Sequence, residues 1–157
     1  MQSYKKGINE SNLKIVGHWN IPDQDIYIDP QTLMNKVSWE EHEKNLILSY
    51  LENGYVFEAY CGCSYDRINP STPDEIMGST VLTDGYWAWP FGLAHYVRNY
   101  NIDLPHAFLE TMRYNNYNVV MYNEIDNYLD QPDTYFVTST DFWKEWCTAR
   151  KEQLANE

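Results

Sequence analysis

Asp84-Gly85 lies between two β-prone apolar runs, Thr80-Val81-Leu82-Thr83 and Tyr86-Trp87-Ala88-Trp89, and this restricts the fold more than any other stretch of the chain. The dipeptide is the strongest short-range hairpin signal, because a type I′ turn needs positive φ at both central residues. Pro90 has its φ preset near the helical value and no amide to donate, so it closes the second strand and opens a helix over 91–100. Alternation along the second strand puts Trp87 and Trp89 on one face and Tyr86 and Ala88 on the other. The tryptophan face belongs to a core. The opposite face, with its tyrosines, is available to a partner, since Tyr and Trp are enriched at binding hot spots.

Around this kernel the rest of the chain divides by turn chemistry and periodicity. Residues 1–12 are polar and read as a loose lead-in, followed by a short strand or core contact at Leu13-Lys14-Ile15-Val16. Residues 20–30 carry Asp23, Asp25 and Asp29 between Pro22 and Pro30, an acidic loop with a brief extended piece at 26–28 and a helical turn after Pro30. Ser38-Trp39-Glu40-Glu41 has the form of a capping box before an apolar stripe of helical period, which predicts a helix over 38–53 stopped in αL at Asn53-Gly54. A strand is expected over 55–61, a long Pro- and Gly-containing loop over 65–78, and a helix opened by Leu104-Pro105. A further strand over 117–122 and a final helix capped by Ser139-Thr140-Asp141 complete the reading. Residues 1–157 are thus expected to form one α+β domain, a small antiparallel sheet of three to four strands packed by helices.

The charge narrows the partners. With 11 basic and 23 acidic residues the net charge is −12, so the surface repels nucleic acid and anionic membrane and attracts cations. Glu124, Asp126, Asp130 and Asp133 form a second acidic segment without a basic residue. No apolar run reaches the roughly 18 residues of a membrane span, and the first ten residues lack a hydrophobic signal region, so a cytoplasmic location is expected.

Chemistry is sparsely marked. Three cysteines are an odd number, and Cys61-Gly62-Cys63 lacks both the two-residue spacer and the second pair of a structural zinc site. Asp23, Asp25 and Asp29 lack the glycine and the terminal glutamate of a calcium loop. No metal and no cofactor are expected. The histidines His18, His42, His95 and His106 stand in no hydrolase or metalloprotease motif, and His95, between Ala94 and Tyr96, reads as a hydrogen-bonded core or groove residue.

From Thr83 through His95, Tyr96 and Val97, and on to Leu104-Pro105-His106-Ala107-Phe108, the chain resembles a motif of small acidic bacterial proteins, T-D-G-x-W-x-W-P-x-G-L-A-H-Y-V followed by L-P-x-x-F. Here Phe91 stands where that pattern usually has Glu. The resemblance implies a bacterial cytoplasmic origin and a shared hairpin-helix core built on Asp84, Gly85, Trp87, Trp89, Pro90 and His95; it brings no catalytic residue. Together with the charge it suggests an immunity-type protein that covers a cationic toxin, such as a nuclease. The partner-binding residues would be Asp23, Asp25, Asp29, Tyr86 and the four acids of residues 124–133. Two alternatives stand beside it: an enzyme or small-ligand binder with a pocket near His95, Trp89 and Cys61, and a phage-type inhibitor that mimics nucleic acid.

Overall fold

Trp87 and Trp89, two residues apart on one strand, are both buried, at 4% and 0% exposure, and the sheet is layered around the face they share. The structure, a computed structural model, describes residues 10–21, 23–59, 64–119 and 135–157. The strands are β1 (Glu10–Ile15), β2 (Tyr55–Ala59), β3 (Thr80–Thr83), β4 (Trp87–Pro90) and β5 (Tyr135–Ser139). The helices are α1 (Glu41–Glu52), α2 (Asp74–Met77), α3 (Leu93–Tyr100), α4 (His106–Tyr114) and α5 (Asp141–Ala155), with a 3₁₀ turn at Pro30–Leu33.

The α+β class holds, but the sheet has five strands in the order β2-β3-β4-β1-β5 and is mixed. β2/β3 and β3/β4 are antiparallel, whereas β1 is inserted parallel to both β4 and β5. This corrects the expectation of a small antiparallel sheet. Parallel neighbours need a long crossover and leave no local turn signal, so neither partner of β1 is marked near residues 10–15. Ile47, Tyr50 and Leu51 of α1, Leu93 and Val97 of α3, Phe108 and Met112 of α4, and Trp143 and Cys147 of α5 bury the tryptophan face. On the other face Leu13, Ile15 and Ala88 form a smaller cluster with Phe57 and Val81.

Several local expectations shift. Helix α1 begins at Glu41 and is capped by Glu40, whose carboxylate accepts from the amides of His42 (3.1 Å) and Glu43 (3.0 Å). The Ser38 box is not used; the carboxylate adds favourable charge at the positive helix end. Asn53 has φ −107°, so no αL stop forms there. Gly54 serves close approach instead: a Cβ would lie 2.7 Å from Trp89 Cζ2 and 2.9 Å from Leu82 Cβ. Helix α3 starts at Leu93 and ends at Asn101 in αL, and Pro105 is the N-cap of α4 rather than its first residue. Residues 26–28 form no strand, nor do 117–119, where Tyr117 has φ +59°. The remainder of that candidate strand, at 120–122, lies outside the described residues. Strand β5 is an element the sequence reading did not assign.

The hairpin is present, but its turn is not type I′: Gly85 has φ +96° while Asp84 is not at positive φ. Asp84 is instead 1% exposed and works through its side chain. Its Oδ1 accepts from the amides of Tyr86 (2.9 Å) and Trp87 (2.7 Å), and Oδ2 from the Tyr50 hydroxyl (2.5 Å). Thr83 Oγ1 donates to the Trp87 carbonyl (2.7 Å) and accepts from the Gly85 amide (2.9 Å). Burial pushes the Asp84 carboxyl up from its ordinary value, against the pull of these donors. Asp84→Asn keeps the carbonyl oxygen that both amides need and lets its NH₂ donate to Tyr50 while removing a buried charge. Its urea-denaturation stability should stay within about 1 kcal/mol of wild type, whereas Asp84→Ala should lose about 2–3 kcal/mol.

Candidate functional site

Open sheets with parallel strands leave a crevice beyond the strands' carboxyl ends. Here that crevice lies past β1 and β4. Gly17 turns the chain away at φ +86°, and a Cβ there would lie 3.1 Å from Pro90 Cδ, so a glycine keeps the two strand ends together. The cleft that results has a volume of about 580 Å³. Buried Met77, Gly92 and Tyr96 form its floor, half-buried His18, Trp19, Tyr27 and Arg67 its walls, and exposed Ile21, Gln24, Glu58 and Tyr65 its mouth.

The walls are held by aromatic packing. Trp19 meets Tyr96 and Trp143 edge-on, with centroids at 5.4 and 5.7 Å, and His18 meets Tyr27 at 5.7 Å. The Trp143 indole donates to the His18 carbonyl at 2.6 Å, tying the wall to α5. Burial lowers the His18 pKa, favouring the uncharged imidazole. Arg67 lies over the Tyr65 ring at 4.8 Å and donates from Nη1 to the Asn20 carbonyl at 3.1 Å. Its amide donates to Tyr96 Oη at 2.9 Å, and burial pushes that phenol up to about 12.

Asp66 fixes the 65–72 loop against α3. Its side chain is fully buried, Oδ1 accepts from the amides of Ile68 (2.8 Å) and Asn69 (3.0 Å), and Oδ2 takes the hydroxyls of Tyr100 (2.6 Å) and Thr72 (2.9 Å). His95 Nε2 lies 2.8 Å from the same Oδ2. Burial alone would raise this carboxyl, but Tyr100, the two amides and Thr72 outweigh it and hold the pKa at about 2. Asn99 Nδ2 sits 2.9 Å from His95 Nδ1, which assigns the ring proton to Nε2, facing Asp66. Both ring nitrogens of His95 are therefore spent on the fold, and the His-Asp pair offers no free base to a substrate.

The other residues named from the sequence are scattered. Trp89 is fully buried with its indole bonded to the Leu51 carbonyl (3.0 Å), so it lines no open pocket. Cys61, Cys63, Glu124, Asp126, Asp130 and Asp133 lie outside the described residues. Asp29 caps the 3₁₀ turn through the Gln31 amide (3.0 Å), and Asp25 accepts from Asn20 (3.0 Å) and Lys151 (3.2 Å). Asp23 is exposed with φ +68°. Tyr86, 49% exposed, precedes β4, whereas residues 23–29 follow β1; in a parallel pair these places are at opposite ends, so they do not form one patch. His42 and His106 are on the surface, the latter 3.4 Å from Glu110. Among the described residues no three His, Cys, Asp or Glu gather as metal ligands. Sequence reasoning missed Asp66, Arg67 and His18. Only Asp66 left a signal, an Asp before two amides in a Pro/Ser/Asn-rich loop, the usual setting of an Asx turn.

The fold and the cleft define an α+β domain with a mixed five-stranded sheet and an aromatic crevice past its parallel strands. No family model, curated protein or solved structure matches the chain. Among the described residues no helix is long and apolar enough to cross a membrane.

Proposed function

We propose that the chain is a protein-binding domain that covers a basic partner, in the manner of a bacterial immunity protein neutralising a cationic toxin. The observation that carries this reading is the mouth of the cleft and its surroundings. Ile21, Tyr65, Ile76 and Phe91 are 39–50% exposed there. Glu58 stands at the same mouth, Asp74 and Glu75 precede Ile76 on α2, Asp23 follows Ile21 by two residues, and none of the four forms an ion pair among the described residues. The pairing of β3 with β2 and β4 brings Glu58, α2 and Phe91 to this same end of the sheet.

Apolar anchors ringed by unspent carboxylates suit a basic protein surface. The anchors slow release, while the carboxylates and the net charge of −12 speed encounter. This end of the sheet is added to the acidic residues expected from the sequence, of which Asp23, Asp25 and Asp29 lie on the 23–29 loop and Glu124, Asp126, Asp130 and Asp133 lie outside the described residues. The test is the association rate with a basic protein recovered from the native host or encoded beside this chain's gene. The triple variant E58K/D74K/E75K should associate about tenfold more slowly at low salt, with a shallower salt dependence. A partner that is not basic, or a rate the triple variant leaves unchanged, defeats the reading.

A further inference from the structure

In a chain with a net charge of −12, arginines have carboxylates to choose from. Three of the four described arginines take one: Arg98 lies 2.8 Å from Glu52, Arg113 3.0 Å from Glu43, and Arg150 3.0 Å from Asp103. Arg67 does not. It stands half-buried in the cleft wall, and among the described residues its guanidinium bonds only the Asn20 carbonyl, from Nη1. A guanidinium has five N–H donors in a planar fork, and Nε and Nη2 make no hydrogen bond among the described residues.

We propose that the cleft binds a small monocarboxylate with a planar apolar body, its carboxylate gripped by Arg67 and its body lying among Trp19, Tyr27 and Tyr96. This does not rest on the protein-binding reading. Three observations define the ligand class. The volume of about 580 Å³ falls within the range of small-molecule sites, roughly 300–1,000 Å³. The walls are aromatic, which suits a flat ring, and the guanidinium fork matches a carboxylate with two parallel hydrogen bonds. Among the described lining residues Arg67 is the one guanidinium or ammonium, so a dianion such as a phosphate monoester would keep one of its charges unpaired against aromatic walls. The His18 ring, which makes no hydrogen bond among the described residues, adds a polar contact in the same wall.

Asp66 makes this arrangement rigid. Its bonds to Ile68, Asn69, Thr72 and Tyr100 anchor the segment just after Arg67, and the Arg67 amide is itself tied to Tyr96. The guanidinium is thus presented from a fixed backbone and loses less freedom when a ligand binds.

The experiment uses the full chain, isotope-labelled, titrated separately with 2-naphthoate, its neutral isostere 2-naphthamide, and inorganic phosphate. Resonances of the Gly17 amide, the Trp19 indole and the Arg67 Nε should move with 2-naphthoate and saturate at a concentration at least tenfold lower than with 2-naphthamide. Phosphate should not saturate them. Arg67→Met, checked for folding by its thermal midpoint, should erase the difference between acid and amide. If that variant fails to fold, the acid and amide comparison on the native chain decides alone. The proposal is overturned if 2-naphthoate leaves these resonances unmoved up to its solubility limit, if acid and amide bind equally, or if phosphate binds more tightly than the carboxylate.

Discussion

Trp89→Ala is expected to lower the unfolding free energy by about 4 kcal/mol, at the upper end for a single core truncation. Trp89 is fully buried, stacked on Tyr50 with centroids at 6.0 Å and tilted onto Phe108 at 5.3 Å. Its indole satisfies the Leu51 carbonyl at 3.0 Å near the end of α1, so truncation removes a hydrogen bond along with the ring. The neighbours cannot close the hole cheaply. Gly54 already sits so near the ring that a Cβ would come 2.7 Å from Cζ2, and it joins α1 to β2. Against a typical stability of about 5–15 kcal/mol, the variant should be marginal. Urea denaturation followed by far-UV circular dichroism gives the value, and a loss below about 1 kcal/mol would contradict the placement of Trp89 at the centre of the core. Because Pro90 follows directly and borders the cleft, weaker ligand binding should accompany the lost stability.

Asp66→Asn is expected to cost roughly 3 kcal/mol at neutral pH. The substitution is isosteric, so packing is not the cause. Oδ2 accepts from Tyr100 and Thr72 and faces His95 Nε2, while Oδ1 accepts two amides. An asparagine NH₂ on either side confronts donors with a donor. The pH dependence separates this from a general loss of packing. The Asp66 carboxyl has a pKa of about 2 in the fold against an ordinary value of 3.8, so its ionised form stabilises the native state above about pH 4. That contribution is lost as the pH falls from about 4 towards 2, and the stability curves of wild type and Asp66→Asn should converge over that window. Parallel curves would show that the carboxylate charge is not what holds the loop. The contrast with Asp84 lies at the second oxygen: there a single hydroxyl meets Oδ2 and can turn to accept from an amide NH₂, whereas Asp66 Oδ2 also faces His95 Nε2, which the Asn99 contact fixes as a donor.

Some of this architecture is written locally. The Asp84-Gly85 hairpin, the alternation that buries Trp87 and Trp89, and the apolar stripes of α1, α4 and α5 each depend on residues within about a dozen positions of one another, and each is present. Even so, local signals misplaced the fine chemistry. The Ser38 box lost to Glu40, and the glycine after α1 answered a steric demand from Trp89 rather than a backbone one. The type I′ turn lost to an Asp84 side chain that Tyr50 draws inward.

The candidate site was not written locally at all. It joins residues 17–19, 21, 24, 27, 58, 64, 65, 67, 77, 81, 90, 92 and 96, and it exists because β1 enters the sheet parallel to β4. The sequence by itself determined the strand and helix segments of the kernel and the sign of the surface charge, because periodicity, turn chemistry and composition act over short range. Tertiary structure alone decided that β1 lies between β4 and β5, that Asp66 is buried among five donors, and that Arg67 has no carboxylate partner among the described residues. Each of these is a choice of neighbour between distant segments, made by which surfaces exclude water together, and no window of adjacent residues contains it.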